Sequence, residues 1–178
     1  MNYHQYYPTD VLNGDGIRCV LFVSGCNHGC DGCYNESTWN PNSGEPITEE
    51  LIDKIINDLN DTRIVRKGLT LSGGDPLHTR NLIMINHIIN RVRSECPNKD
   101  IWMWTGYTLE EINENRSDLN TDLFRRHVAY KVDVLVDGRF VKGLHHPGLK
   151  WRGSSNQKVY RFVHDEVIDI TPKDTRIV

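Results

Sequence analysis

Short apolar segments that read as β-strands alternate with amphipathic segments that read as α-helices along most of this chain. The predicted strands cover 18–23, 68–72, 101–105 and 132–136. The predicted helices cover 48–60 and 81–93, and weaker helical segments cover 109–115 and 119–127. Strands that alternate with helices typically form βα units. Because such crossovers are right-handed, this order predicts an α/β fold with a mostly parallel sheet, curled into an open, partial (β/α) barrel or a doubly wound layer.

The length of 178 residues suits a single domain over 1–178, in which 159–178 is a C-terminal extension without an assigned role. A complete eight-stranded α/β barrel is nearly excluded, because it needs about 200 residues or more. Asp137-Gly138 is a good hairpin turn, so the fourth strand could instead begin a hairpin with 139–141. The tail from Lys158 to Val178 alternates polar and apolar residues and could add an edge strand.

The charge balance argues against a nucleic-acid partner. Lys and Arg total 21 against 24 Asp and Glu, a net charge of -3, so the chain lacks the basic excess that binds phosphates. No apolar run approaches the roughly 20 residues of a membrane-spanning helix. The first residues lack the basic and apolar regions of a secretory signal. We therefore expect a cytoplasmic protein without membrane or nucleic-acid partners.

The cysteines are clustered. Three of the five follow the first predicted strand as Cys26-x-x-x-Cys30-x-x-Cys33, whereas Cys19 lies upstream and Cys96 is far along the chain. Three thiolates on one loop can hold three corners of a [4Fe–4S] cluster and leave the fourth iron open to a small molecule. The alternative is a structural zinc site with His28, Cys19 or Cys96 as the fourth ligand, although such sites usually consist of two separated pairs. Otherwise His28 reads as a solvated or supporting loop residue.

The triplet after a first strand resembles the radical S-adenosylmethionine superfamily. Further segments resemble one subfamily of it, the activating proteins of the anaerobic ribonucleoside-triphosphate reductase. These segments follow in order from the N-terminus and cover 13–19, 22–26, 33–35, 71–77 and 151–157. The triplet alone identifies the superfamily, and the combined set identifies the subfamily. Nothing in the residues of 152–157 themselves says what that segment does.

The resemblance implies an oxidoreductase of the radical type. Cys26, Cys30 and Cys33 would hold one [4Fe–4S] cluster, whose open iron binds the amino and carboxylate groups of S-adenosylmethionine. One electron, from flavodoxin or another low-potential protein, would cleave the sulfonium to methionine and a 5′-deoxyadenosyl radical. That radical would take a hydrogen atom from a backbone glycine of the large reductase subunit. The partners are thus the reductase and the electron donor.

A second loop, 72–77, follows the second predicted strand at the same sheet edge as the cysteines. Gly73 and Gly74 would let a ligand approach the backbone, and Asp75 offers a carboxylate to an ammonium group. The resemblance implies that this loop holds the amino group of S-adenosylmethionine, through the backbone of Gly74 and with Asp75 as a further partner. Taken alone, the motif fits a tight strand-to-helix turn in which Pro76 enters the next helix.

The sequence departs from the superfamily beside the third cysteine. Many members carry an aromatic residue just before it, whereas here that position is Gly32 and the aromatic residue is Tyr34. Adenine contacts are therefore expected from the backbone of Gly32, Cys33 and Tyr34, with the Tyr34 ring alongside. Two other functions stay open: a non-catalytic, zinc-stabilised α/β adaptor that binds another protein, and an activase of a different glycyl-radical enzyme.

Overall fold

The computed structural model describes residues 1–114, 118–164 and 166–175. The strands are β1 (Asn2–Asp10), β2 (Arg18–Val23), β3 (Glu45–Pro46), β4 (Gly68–Gly73), β5 (Asp100–Trp104), β6 (Val134–Asp137), β7 (Lys158–Val163) and β8 (Glu166–Asp169). The helices are α1 (Glu49–Asn60), α2 (Leu82–Glu95), α3 (Leu109–Asn113) and α4 (Leu119–Ala129). Two predictions reach beyond the described residues, because the helical segment 109–115 ends at Asn115 and the C-terminal extension includes Asp165 and 176–178.

The described strands form one open sheet in the order β3-β1-β2-β4-β5-β6-β7-β8. The prediction of α/β architecture is confirmed, and the four predicted strands correspond to β2, β4, β5 and β6, which run parallel to one another. The prediction of a mostly parallel sheet is wrong, because the other four neighbouring pairs are antiparallel. The connections explain this: β1 reaches β2, and β6 reaches β7, without the helical crossover that a parallel neighbour requires.

The turn after β6 is not the predicted hairpin. β6 pairs antiparallel with β7, with Asp137 opposite Lys158, so the chain leaves the sheet over 138–157 before it returns. The Asp137 carboxylate accepts the N–H groups of Leu109 at 2.7 Å and Lys158 at 3.0 Å, which closes the base of this long loop. The tail does add strands to the edge, as the alternation of polar and apolar residues predicted.

The two faces of the sheet are both covered, and β5 shows how. Ile101 and Met103 face the helices and join the larger apolar core, whereas Trp102 lies on the opposite face. There it packs with Val134, Val136 and Val159, and Trp104, Trp151 and Ile170 lie against this second cluster. A strand that is covered on both faces needs a nearly continuous apolar sequence. The parallel strands could therefore be predicted from the sequence.

The segment 13–19, which carries part of the family resemblance, lies at the end of β2 opposite the cysteines. Arg18 is fully buried there and pairs with Asp100 at 2.6 Å. Its Nε donates to Thr70 Oγ1 at 2.8 Å, and its guanidinium lies over the Trp102 ring. A buried charge needs such partners, so this segment fastens three strands together. Among the described residues, no helix is both long enough and apolar enough to span a lipid bilayer.

Candidate functional site

The two loops predicted to carry function meet at one edge of the sheet, and the residues after β5 lie beside them. The cysteine loop leaves the end of β2, the Gly73–Asp75 turn leaves β4, and Thr105 and Gly106 follow β5. Because β2, β4 and β5 are neighbouring parallel strands, their carboxyl ends lie side by side. The sheet order therefore brings together the cysteine and glycine segments, as the sequence predicted.

The base of the cysteine loop is fixed by backbone hydrogen bonds. The N–H of Gly25 donates to Thr38 O at 2.7 Å, and the N–H of Cys26 donates to Trp39 O at 3.0 Å. The buried amide of Asn81 donates to Ser24 O at 2.8 Å. These bonds place the first cysteine at a defined point above the end of β2.

The three thiols of the loop are free and partly buried. Cys33 N–H donates to Cys30 O at 3.2 Å, which forms a turn, and the N–H of Asn35 points at Cys33 Sγ at 3.4 Å. Burial raises the pKa of the Cys26 thiol to about 12, and the nearby charges of Asp75, Cys30 and Cys33 add to that rise. The free Cys26 thiol therefore stays protonated. A bound metal centre would favour the thiolate instead, and its binding would release the thiol protons.

The donor set suits an iron–sulfur cluster better than a single ion. Among the described residues, no three Cys, His, Asp or Glu side chains gather as ligands of one metal ion. In a four-iron cluster each cysteine binds a different iron, so the thiols need not meet at one point, and N–H groups aimed at sulfur stabilise the reduced form. Three cysteines on one loop, with the N–H of Asn35 directed at Cys33 Sγ, fit that group.

The residues considered as a fourth zinc ligand have other contacts. Cys19 is buried within β2, and its Sγ lies 3.5 Å from Pro8 O. Cys96 is buried after α2, 3.9 Å from Ile56 O. Both behave as apolar core residues, and the His28 ring is turned towards another loop.

The Gly73–Gly74 turn packs directly on the start of the cysteine loop. The N–H of Gly74 donates to Val23 O at 2.7 Å, and the N–H of Asp75 donates to Gly25 O at 2.7 Å. A Cβ on Gly74 would lie 2.6 Å from Gly25 O, and one on Gly73 would lie 2.5 Å from Val23 N. The backbone contact itself therefore requires both glycines, in addition to any ligand that approaches them.

The carboxylate of Asp75 is the centre of this region, and the residue is 1% exposed. Its Oδ1 accepts the N–H of Leu77 at 2.8 Å and the hydroxyl of Thr105 at 2.9 Å. Its Oδ2 accepts the N–H of Gly106 at 3.1 Å and lies 2.6 Å from His28 Nε2. One carboxylate thus links the loops after β2, β4 and β5.

The imidazole of His28 lies in a narrow slot formed by the Asp75 carboxylate, Gly106 and the Tyr107 ring. Only 7% of its side chain is exposed, and the Tyr107 ring meets it edge-on at 4.7 Å. A Cβ on Gly106 would lie 2.3 Å from His28 Cδ2, so the slot leaves no room for a side chain there. Of the two sequence interpretations of His28, the solvated residue is wrong, whereas a supporting loop residue agrees with its burial and its bond to Asp75.

The outer side of the cysteine loop faces the long loop 138–157. Tyr34 is 81% exposed, and its ring lies 6.2 Å from the rings of Phe140 and His145. The side chain of Lys142 passes over Gly32, where a Cβ would lie 3.1 Å from Lys142 Cδ. The exposed edge of the candidate cluster site is therefore bordered by aromatic rings and a lysine.

The segment 152–157 has a structural position that its sequence did not reveal. Gln157 Oε1 accepts the N–H groups of Gly153 at 2.7 Å and Ser154 at 3.1 Å, and its Nε2 donates to Gly138 O at 2.7 Å. The buried guanidinium of Arg152 bonds the carboxylate of Asp174 in the tail. The segment therefore holds the long loop in shape and fastens the tail to it.

Known proteins resemble this chain over most of its length. The family model described as a 4Fe-4S single cluster domain matches residues 12–160. The anaerobic ribonucleoside-triphosphate reductase-activating protein of Vibrio cholerae is 57% identical over 162 residues, 91% of this chain and 99% of the relative. The protein of the same name from Escherichia coli K12 is 58% identical over 160 residues, 90% of this chain and 98% of the relative. That of Enterobacteria phage T4 is 42% identical over 160 residues, 90% and 94% of the two chains.

Proposed function

Since the chain belongs to the family of anaerobic ribonucleoside-triphosphate reductase-activating proteins, we propose that it is a radical S-adenosylmethionine enzyme that generates a glycyl radical on that reductase. The observation that carries the proposal is the meeting of two loops at one sheet edge. Three free thiols lie on one loop, and the Gly73–Gly74 turn is bonded to its base through Asp75 N–H and Gly25 O at 2.7 Å. A cluster and its cofactor need two such neighbouring groups of donors.

In this proposal Cys26, Cys30 and Cys33 hold a [4Fe–4S] cluster. When bound and reduced by its electron donor, the cluster would supply one electron to S-adenosylmethionine, which would yield methionine and the 5′-deoxyadenosyl radical that takes a hydrogen atom from the glycine. The protein sets the position of Cys26 through the backbone bonds at the base of the loop. The N–H of Asn35 supports the thiolate of Cys33. Free thiols persist in reducing compartments, which agrees with a cytoplasmic enzyme.

The cofactor itself would lie between the two loops. We assign its amino group to the backbone of Gly74, in the turn formed by Gly73 to Asp75, and its adenine to the backbone of 32–34 beside the Tyr34 ring. The carboxylate of Asp75 is almost fully occupied by protein donors, so its contribution is to hold the turn in place. These residues would orient the sulfonium.

The partner of the reaction is a polypeptide, so its glycine must reach the open edge of the sheet. The exposed ring of Tyr34 and the flanking Phe140 and His145 offer an aromatic surface beside the cysteine loop. We propose that the large reductase subunit approaches this edge and completes the wall of the site. Flavodoxin, or another low-potential protein, is proposed as the electron donor.

Anaerobic reconstitution with iron and sulfide tests the ligand assignment. We expect about four irons per chain in the wild type and a loss of cluster absorbance in Cys26→Ala, Cys30→Ala and Cys33→Ala. Cys19→Ala and Cys96→Ala are matched controls that should keep their iron, because both thiols are buried core groups. A cluster that survives all three loop substitutions would refute the assignment.

The reaction is tested with the reconstituted chain, a strong reductant and S-adenosylmethionine. We expect 5′-deoxyadenosine and methionine in equal amounts, and a glycyl radical signal when the reductase is present. A fully loaded chain that forms no 5′-deoxyadenosine would contradict the proposal. One colourless zinc per chain, in place of iron and sulfide, would favour the adaptor function instead.

A further inference from the structure

The stretch between the first two cysteines is exposed on both sides of one anchored residue. Asn27 and Gly29 are exposed, and a Cβ on Gly29 would meet no atom within 4 Å. His28, between them, turns its ring into the slot formed by Asp75, Gly106 and Tyr107. The His28 ring is therefore the buried anchor of this exposed stretch.

Asp75 holds the cysteine loop at two points. Its backbone N–H donates to Gly25 O at 2.7 Å, and its Oδ2 lies 2.6 Å from His28 Nε2. These two contacts bracket Cys26, which stands between Gly25 and His28 in the chain. Asp75 therefore adds one contact on each side of Cys26 to the backbone bonds at the base of the loop, and it ties the first thiol to the Gly73–Gly74 turn.

The carboxylate is itself held rigidly. The N–H groups of Leu77 and Gly106 and the hydroxyl of Thr105 donate to it, so it cannot follow the loop if the loop moves. Through its contact with His28, the carboxylate therefore holds the cysteine loop in a fixed position relative to β4 and β5. A loop held in its binding conformation loses less entropy when it takes up a ligand.

We propose that His28 is a positioning residue of the cluster site. Its hydrogen bond to Asp75 holds the stretch from Cys26 to Cys30 in the conformation that receives the cluster. The same bond fixes the distance between that stretch and the Gly73–Gly74 turn. This part of the proposal rests on the function proposed above for the turn. The His28 ring bonds Asp75, so we assign it a role that acts through Asp75 and not as a ligand of the cluster or the cofactor.

Two substitutions of His28 distinguish the effect of its hydrogen bond from the effect of the volume of its ring. His28→Leu has a similar volume and no donor, whereas Gln in His28→Gln can place an amide nitrogen where His28 Nε2 lies. We expect the reconstituted His28→Leu variant to lose iron to a chelator about 10- to 100-fold faster than the wild type. The His28→Gln variant should stay within about threefold of the wild type.

His87 provides the matched control. It lies on α2, 42% of its side chain is exposed, and its Nε2 is 2.9 Å from Glu49 Oε1, so it also bonds a carboxylate. His87→Leu and His87→Gln should both lose iron at the wild-type rate. A second readout is the spectral response of the reduced cluster to S-adenosylmethionine, for which His28→Leu should require at least tenfold more cofactor and His28→Gln should not.

Equal rates of iron loss in wild type, His28→Leu and His28→Gln would overturn the proposal. Equal acceleration in both variants would also overturn it, because the ring would then act by packing alone. If His28→Leu does not fold, His28→Asn replaces it, since its amide is one bond too short to reach Asp75 and it should behave as Leu does. A wild type that holds its cluster but never cleaves S-adenosylmethionine would refute the proposed function, while the chelator comparison would still decide the role of His28.

Discussion

Replacing Asp75 by alanine should destabilise the chain even when no cluster or cofactor is bound. The substitution removes the acceptor of four donors: the N–H groups of Leu77 and Gly106, the hydroxyl of Thr105 and the ring of His28. Each buried donor left without a partner costs about 1–3 kcal/mol. Water can enter near the loop surface and satisfy some of them. The expected loss is therefore about 3–5 kcal/mol, as for other buried pairs that lose one member.

Urea unfolding of the metal-free chain, followed by tryptophan fluorescence, measures this loss. For a slope of about 2 kcal/mol per molar urea, the midpoint should fall by about 2 M. Asp53→Ala is the matched control, since Asp53 lies on α1 with 59% of its side chain exposed and bonds Arg91 at 2.7 Å. A surface pair contributes at most about 1 kcal/mol, so this midpoint should shift by less than about 0.5 M.

The outcome also decides between two roles for Asp75. If the carboxylate served mainly to bind the ammonium group of S-adenosylmethionine, as its sequence context suggested, alanine would weaken cofactor binding and leave the metal-free chain as stable as before. A midpoint within about 0.5 M of the wild type, together with lost cofactor affinity, would refute the reasoning from the four donors. Lower stability and lower affinity together would support it.

Three further substitutions test the packing at the site, at the C-terminal tail and in the core. Gly74→Ala places a Cβ 2.6 Å from Gly25 O, so both backbones must move; we expect about 1–3 kcal/mol less stability in urea and strongly reduced 5′-deoxyadenosine formation. Asp174→Asn weakens the bond to Arg152, so a protease should remove the C-terminal tail faster. The free energy of unfolding in urea should stay within about 0.5 kcal/mol of the wild-type value. Cys96→Ser buries a hydroxyl in place of a core thiol; it should lower stability by about 1–2 kcal/mol and leave the iron content unchanged.

The sequence predicted the centre of the fold because the centre has the simplest physical requirements. β2, β4, β5 and β6 are covered on both faces, so they appear as short apolar runs, and α1 and α2 pack one apolar stripe each. Their order also predicted that the cysteine loop and the Gly73–Asp75 turn would meet. That inference needed only the rule that neighbouring parallel strands end at the same edge.

The edges of the sheet could not be predicted in the same way. β1 is half-exposed, contains Pro8 and carries polar residues between its tyrosines, so it has no clear alternation of polar and apolar positions. It is recognisable only through its pairing with β2, which brings Tyr6 opposite Leu21. At the other edge, the Asp137-Gly138 pair has the composition of a hairpin turn. The contacts that make it the base of a long loop come from distant segments.

The candidate site shows the same division between residue chemistry and tertiary contact. The thiols could be recognised from their spacing, because metal chemistry depends on few residue types. The link between His28 and Asp75 could not, because 47 positions separate them and neither residue type is unusual in a loop. Thr105 and Gly106 gain their part in the site only because β5 is the neighbour of β4.

The glycines of the site are explained by this packing before any ligand is considered. A Cβ at Gly73, Gly74 or Gly106 would lie between 2.3 and 2.6 Å from atoms of the cysteine strand and loop. Three glycines therefore let the segments after β4 and β5 approach the segment after β2 closely enough for one carboxylate to join them. It follows that the Gly73–Gly74 motif by itself is weak evidence for a bound cofactor. The free thiols beside it carry the argument, because no packing requirement explains three cysteines on an exposed loop.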